Sequence, residues 1–260
     1  MLPDALFWNV HMYGIMIAVG ILACFLVLYL YSKRLGVSTG LVDFCFYDGV
    51  FSILVGFGVA ALVQATLNYI KNPAGGFELG SGITVVPGLI GGAGFFLIVY
   101  FLLRKRLKLR LLDVLPVIPC CITVAHGFGR IGCFFAGCCY GRETDSIFGV
   151  QFKNVSGTRL PTQLFEAAFL FLLFAVLTLL VLKWKCPYTL SIYLVAYGIF
   201  RFIIEFFRGD DRGQIFGGTL SPSQVGSILY LLLGIGWFFL HRYLLARYAA
   251  AAPEAPSEEA

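Results

Sequence analysis

An all-α, polytopic membrane protein is the fold class this sequence predicts, and three observations carry the prediction. Apolar residues make up 59% of the 260-residue chain and charged residues 13%, against about 45–50% and about 25% in soluble domains. The apolar residues gather into seven runs, each close to the roughly 20 residues a helix needs to cross the hydrocarbon core. The basic residues cluster in gaps between those runs, as membrane topology requires. A net charge of +5 would otherwise invite nucleic acid, but basic residues spaced by apolar spans do not form a phosphate-tracking patch. Nucleic acid is therefore excluded as a partner.

In order, the predicted spans are 11–31, 44–66, 84–103, 111–128, 162–182, 188–207 and 222–241. Before the first, Met1-Leu-Pro-Asp-Ala has no basic region and no small-residue cleavage site, so the first run is expected to be retained as a helix rather than cleaved. The third opens on Pro87-Gly-Leu-Ile-Gly-Gly-Ala-Gly94, and the fourth is interrupted by Asp113, Pro116 and Pro119; such breaks are accepted at membrane depth where neighbouring helices or a cavity meet them. The whole of 1–248 reads as one transmembrane domain, followed by a disordered Ala-, Pro- and Glu-rich tail, 249–260.

Orientation follows from charge. Lys33 and Arg34, the group Arg104, Lys105, Arg106, Lys108 and Arg110, then Lys183 and Lys185, and finally Arg242 and Arg247 all fall on one side. That side is predicted to be cytoplasmic, with the N-terminus outside and the C-terminus inside. Lys71, Arg130, Arg142, Lys153, Arg159, Arg201, Arg208 and Arg212 are left in or beyond the opposite half. Lys71 and Lys153 read as ordinary loop charge. Arg130, Arg201 and Arg208 are flanked by apolar residues or glycine, where an arginine costs several kcal/mol unless an anion, a counter-charge or water meets it. Guanidinium groups gathered there match the planar, bidentate demands of a phosphate, so an anionic lipid headgroup is the expected ligand.

Two polar stripes build the expected site. Tyr197, Arg201, Glu205 and Arg208 recur at i, i+4, i+8 and i+11 along Tyr197-Gly-Ile-Phe-Arg-Phe-Ile-Ile-Glu-Phe-Phe-Arg208, one face of a helix. A buried Arg201–Glu205 pair joining two helices would explain part of that stripe; a polar cavity wall explains all of it and is preferred. If the strip His126-Gly-Phe-Gly-Arg-Ile-Gly-Cys-Phe-Phe-Ala-Gly-Cys-Cys-Tyr-Gly141 continues the fourth helix, His126, Arg130 and Cys133 share a second face. Its thiols admit three readings: packing, a soft-metal or redox site from Cys133, Cys138 and Cys139, or a reactive thiol tuned by Arg130. No second Cys-x-x-Cys or His pair completes a tetrahedral set, so no metal and no cofactor are expected, with those three cysteines as the alternative. In Pro161-Thr-Gln-Leu-Phe-Glu166, Thr162 reads as an N-cap and Glu166 as a first-turn acid. Ser223 and Gln224, after Pro222, also read as capping residues.

Taken together, these segments resemble the bacterial phosphatidylglycerol–prolipoprotein diacylglyceryl transferase family. The resemblance runs through Tyr13-Gly14, the Pro87-Gly-Leu-Ile-Gly91 turn, Gly129-Arg130-Ile-Gly-x-Phe-x-x-Gly-x-x-Tyr-Gly-Arg142, Pro161-Thr-Gln-Leu-Phe-Glu166 and Tyr197-Gly-x-Phe-Arg-Phe-x-x-Glu-Phe-Phe-Arg208. It implies a membrane transferase of the bacterial plasma (inner) membrane, with its active site facing the outer leaflet. The enzyme would move diacylglyceryl from phosphatidylglycerol to the thiol of a prolipoprotein lipobox cysteine, releasing glycerol phosphate. Arg130, Arg201, His126 and Tyr197 would be catalytic. Tyr13, Cys133, Gly141, Glu205, Arg208, Gln163 and Glu166 would line or shape the substrate site.

Three positions depart from the family pattern. Val86, or Pro87, stands where a His is usual, Cys133 where an Asn is usual, and Gly58 where an Arg is usual. His126, one turn before Arg130, would return an imidazole to the cavity. A diverged transferase with another acceptor, and a non-enzymatic transport or thiol- and metal-binding protein, are the alternatives. The crowding of polar residues into one leaflet speaks against transport, which needs them through both.

Overall fold

The computed structural model describes residues 11–73, 76–79, 82, 84–153, 155–209 and 220–250. Among the described residues eight helices are formed: α1 (Met12–Leu35), α2 (Thr39–Lys71), α3 (Val85–Leu103), α4 (Leu111–Val114), α5 (Ile118–Ala136), α6 (Thr162–Leu182), α7 (Thr189–Glu205) and α8 (Pro222–Ala250). Between α5 and α6 a two-residue antiparallel ladder pairs β1 (Val150–Gln151) with β2 (Thr158–Arg159), Val150 opposite Arg159. Among the described residues six helices are long and apolar enough to cross a membrane: α1, α2, α3, α5, α6 and α8. The remaining predicted span, 188–207, corresponds to α7, whose 17 residues carry Tyr197, Arg201 and Glu205 along one face. Large apolar side chains such as Leu54, Leu102, Leu172 and Leu232 stand exposed on these helices, the arrangement a hydrocarbon solvent rewards. The protein is a multi-pass membrane protein.

The predicted fourth span is corrected. Pro116 and the residues around it end α4 after one turn, and the membrane helix starts at Ile118, with Pro119 in its first turn where a missing N–H costs nothing. α5 then runs through the glycine-rich strip to Gly137, whose left-handed conformation (φ +69°) receives the end of the helix. His126, Arg130 and Cys133 therefore do lie in one continuous helix. The expected turn at Pro87–Gly91 is also corrected: these residues are helical, in the opening turns of α3. At the C-terminus, Ala249 and Ala250 still belong to α8, whereas the rest of the predicted tail, like Arg212 and the N-terminal residues read for a signal sequence, lies outside the described residues.

The chain divides into two compact units. One is Ser32–Val114, in which α2 and α3 pack closely. A Cβ on Gly56 would stand 2.8 Å from the Gly88 carbonyl oxygen, and one on Gly92 2.8 Å from that of Ser52. The glycines of the third span thus serve as a small-residue seam, which lets two backbones meet where lipid offers no hydrophobic drive.

The other unit comprises Met1–Tyr31 and Leu115–Ala260. Within it α5 packs on α6 and α7 on α8. Gly20 of α1 meets the Ala125 carbonyl, Gly127 the Phe171 ring, and Gly198 the Ser227 carbonyl, each at about the closest approach a Cβ would forbid. All the predicted site residues fall in this unit.

Candidate active site

Four helices bring their polar faces together. His126 and Arg130 come from α5, Glu166 from α6, Tyr197, Arg201 and Glu205 from α7, and Ser223 from α8. Glu166, 1% exposed, is the hub. Its Oε1 lies 3.0 Å from Nη2 of Arg130 and accepts the Tyr197 hydroxyl at 2.8 Å. His126 stands beside it, Nε2 3.8 Å from the same oxygen, and that nitrogen accepts Nε–H of Arg130 at 3.3 Å. The His126 and Tyr197 rings meet edge to face at 5.1 Å, and Tyr193 stacks on Tyr197 at 5.9 Å. One buried carboxylate thus fixes a guanidinium and a phenol, and the guanidinium in turn holds the imidazole.

A second pair sits on α7. Nη2 of Arg201 lies 2.9 Å from Oε2 of Glu205 and donates to the Ser223 hydroxyl at 2.8 Å. Oε1 of Glu205 accepts from the Ser221 hydroxyl at 2.9 Å. The Ser221 and Gln224 side chains each take the other's backbone N–H, at 3.2 and 3.0 Å, so Ser221 with Gln224 caps α8 in a capping-box arrangement. Gln224 caps as expected; Ser223 instead reaches Arg201. Nη1 of Arg201 is buried and has no protein acceptor among the described residues. Arg130 and Arg201 both act electrostatically on Tyr197, whose hydroxyl is held by Glu166.

The capping reading of Thr162 and Glu166 is overturned. α6 begins after Pro161 without a side-chain cap. The Thr162 hydroxyl donates to the Cys139 carbonyl at 2.9 Å and the Gln163 amide to the Cys138 carbonyl at 2.5 Å, while Glu166 turns inward to Arg130. A carboxylate in the first turns of a membrane helix needs a charge partner more than the helix needs a cap. Nothing local in the sequence names Arg130, 36 positions earlier, as that partner.

Gly141 is wedged between two chain segments. Its N–H donates to the Leu160 carbonyl at 2.7 Å, and a Cβ there would stand 2.7 Å from the Phe207 carbonyl and 2.8 Å from Leu160 Cβ. Arg142 N–H bonds the Phe207 carbonyl at 2.9 Å, so the loop after α5 is stitched to the end of α7, with Gly141 opposite Arg208. Tyr13 of α1 lies against Gly132 and within electrostatic range of Arg130 and of Cys133, Cys138 and Cys139. Those three thiols lie within 4.8 Å of one another. Hydrogen bonds from the Cys133 and Cys138 thiols, with the Arg208 guanidinium adding to them, hold the Cys139 thiol below its usual range. Val86 and Pro87, the two candidate positions of the usual family His, belong to the other unit, and Val86 is 65% exposed. His126 is the imidazole placed among the charged residues.

Residues 4–240 match the family model described as prolipoprotein diacylglyceryl transferase. A phosphatidylglycerol–prolipoprotein diacylglyceryl transferase of Clostridium tetani is 35% identical over 90% of this chain and 94% of its own length. The second such enzyme of Clostridium perfringens is 34% identical, over 87% and 89%. That of Coxiella burnetii is 31% identical, over 90% and 93%. The helical membrane fold, the paired arginine–glutamate sites and this match over nearly the whole chain place the protein in the prolipoprotein diacylglyceryl transferase family.

Proposed function

We propose that this chain transfers the diacylglyceryl group of phosphatidylglycerol to the thiol of a prolipoprotein lipobox cysteine and releases glycerol phosphate. One observation carries the reading beyond the family match. A part-buried guanidinium, Arg130, and a buried one, Arg201, both act on Tyr197, each is paired with a single glutamate, and Nη1 of Arg201 has no protein acceptor among the described residues. Buried donors of that kind are suited to a ligand anion.

In the reaction, Arg130 and Arg201 take the phosphodiester, while Glu166 and Glu205 hold them in place between turnovers. The cysteine sulfur attacks the glyceryl carbon bonded to the phosphate oxygen. The C–S bond forms as the C–O bond breaks, and glycerol phosphate departs with the bonding electrons. Positive charge already fixed at the leaving oxygen lowers that barrier. As Arg130 turns from His126 to the phosphate it frees Nε2 of the imidazole, which receives the thiol proton. Tyr197 orients Glu166, Tyr13 lines the cavity, and Gly141, Gln163 and Arg208 shape the loop that borders it. The bacterial relatives support a bacterial plasma membrane setting, and the positions of the basic clusters support an N-terminus outside and a site facing the outer leaflet, where prolipoprotein and phosphatidylglycerol meet.

The test is mass spectrometry of a synthetic lipobox peptide incubated with phosphatidylglycerol and the purified protein. Wild type should yield the thioether diacylglyceryl adduct, and Arg130→Lys and Arg201→Lys should each lose on the order of 10²–10³ in rate, as for removal of a charge-stabilising donor. No adduct from folded wild-type protein overturns the proposal.

A further inference from the structure

The thiol cluster takes no part in the transfer just described, and its geometry is that of a ligand set. Cys133 lies in the last turn of α5, and Cys138 and Cys139 lie just beyond it. Their three sulfur atoms lie within 4.8 Å of one another. Three sulfurs around one ion at a metal–sulfur distance of about 2.3 Å stand about 4.0 Å apart in a trigonal plane. A shift of less than an ångström in each side chain therefore closes the set.

The backbone is built to hold this arrangement. Gly137 and Cys139 both adopt left-handed conformations, φ +69° and +65°. The first is a common helix ending. The second is costly for a residue with a Cβ and persists where the surroundings impose it. Those surroundings are explicit: N–H of Cys138 donates to the Cys133 carbonyl at 3.2 Å, and Gln163 and Thr162 anchor the Cys138 and Cys139 carbonyls from α6. Arg208 lies within hydrogen-bond reach of the Cys139 thiol. Arg130, one turn before Cys133 on α5, acts electrostatically on both Cys133 and Cys139.

We propose that Cys133, Cys138 and Cys139 form a three-thiolate site for one soft d10 cation, cuprous copper. Thiolate sulfur selects soft ions and leaves magnesium and calcium unbound. Three ligands complete the trigonal coordination that Cu(I) accepts. Structural zinc and iron–sulfur clusters need a fourth protein ligand, and among the described residues no further Cys, His, Asp or Glu joins the group. Binding displaces the protons the thiols carry, and three thiolates around one Cu(I) leave the complex with two negative charges. Arg208 and Arg130 stand where that charge develops.

The experiment is an anaerobic titration of the reduced, metal-free full-length protein in detergent with Cu(I), in competition with a chromogenic Cu(I) chelator. X-ray absorption is then recorded on the loaded protein. One equivalent per chain with three sulfur neighbours at about 2.3 Å is the expected result. Loss of a residue that merely supports a ligand costs about 10–100-fold in metal affinity, so Cys133→Ser, Cys138→Ser and Cys139→Ser should each weaken binding by more than about 100-fold. Cys24→Ser and Cys186→Ser should leave it unchanged. Bound copper should also protect the three cysteines of the wild type from alkylation while leaving Cys186 reactive, a readout that needs no variant to fold. Binding that survives in the triple serine variant, fewer than three sulfur neighbours, or equal alkylation with and without copper overturns the assignment.

Discussion

Replacing Glu166 by Gln separates the charge of the hub from its shape. The amide oxygen can still accept the Tyr197 hydroxyl, now at 2.8 Å, but the counter-charge 3.0 Å from Nη2 of Arg130 is gone. A hydrogen bond to a charged group contributes about 1.5–3 kcal/mol. Removing one partner of a buried ion pair altogether costs about 3–5 kcal/mol. Gln keeps an acceptor, so the expected loss lies near 2 kcal/mol. At about 2–4 °C per kcal/mol for a chain of this size, unfolding should fall by about 4–8 °C. Arg130 is then less firmly placed, and an error of about 1 Å in a positioning group costs on the order of 10²-fold in rate. The discriminating measurement is thermal unfolding in detergent with and without phosphatidylglycerol, beside the transfer rate. A bound phosphate restores the missing negative charge, so the lipid should stabilise Glu166→Gln more than it stabilises wild type. An unfolding temperature within about 1 °C of wild type, or a lipid-induced shift no larger than wild type's, would refute the role of Glu166 as the resting counter-charge of Arg130.

Other substitutions probe the remaining parts. His126→Ala should lower the transfer rate by about 10²–10⁴, the range of general base catalysis, while phosphatidylglycerol binding persists; full activity in the transfer assay would remove His126 from the reaction. Gly141→Ala forces a methyl to within 2.7 Å of the Phe207 carbonyl and should cost about 1–3 kcal/mol by overpacking, read as a lowered unfolding temperature together with lost transfer. Gly56→Ala should likewise destabilise by about 1–3 kcal/mol, because its Cβ meets the Gly88 carbonyl at 2.8 Å. Gly58→Ala, on the same helix with nothing within 4 Å, should be neutral or slightly stabilising, and parallel unfolding curves check the pair. Ser221→Ala removes both a cap and the Glu205 donor and should cost about 1 kcal/mol or more in the same measurement.

Much of the site could be read from spacing. The i, i+4, i+8 stripe on α7 and the His126–Arg130 turn of α5 are local periodicities, and the Arg201–Glu205 pair within α7 follows from them. What spacing could not supply was tertiary pairing. Glu166 carries a helix-start pattern that capping explains, and only the cost of a carboxylate in an apolar helix hints that it must find a cation elsewhere. Thr162 and Gln163 were similarly opaque, because their partners are backbone carbonyls of a loop more than twenty positions earlier. The fourth span was misplaced because Pro116 and Pro119 act differently by position. The first lies just beyond the single turn of α4, while the second sits in the first turn of α5, where proline is tolerated. The glycines at 88 and 92 were visible as a pattern, but their role as a seam against α2 needed the neighbouring backbone.

That seam bears on how the protein is made. Every close approach between α2 and α3 is supplied from within Thr39–Leu103, so the two helices have all of each other's packing partners as soon as both have left the ribosome. The unit that holds the arginines is split in sequence, α1 on one side of the hairpin and α5 to α8 on the other. Its first helix must therefore wait in the bilayer, unpartnered by its own unit, while the whole hairpin is synthesised and paired. In a vectorial synthesis the chain thus completes its α2–α3 hairpin first and assembles its arginine–glutamate pairs last, when Glu166 and Glu205 are both present to receive the guanidiniums.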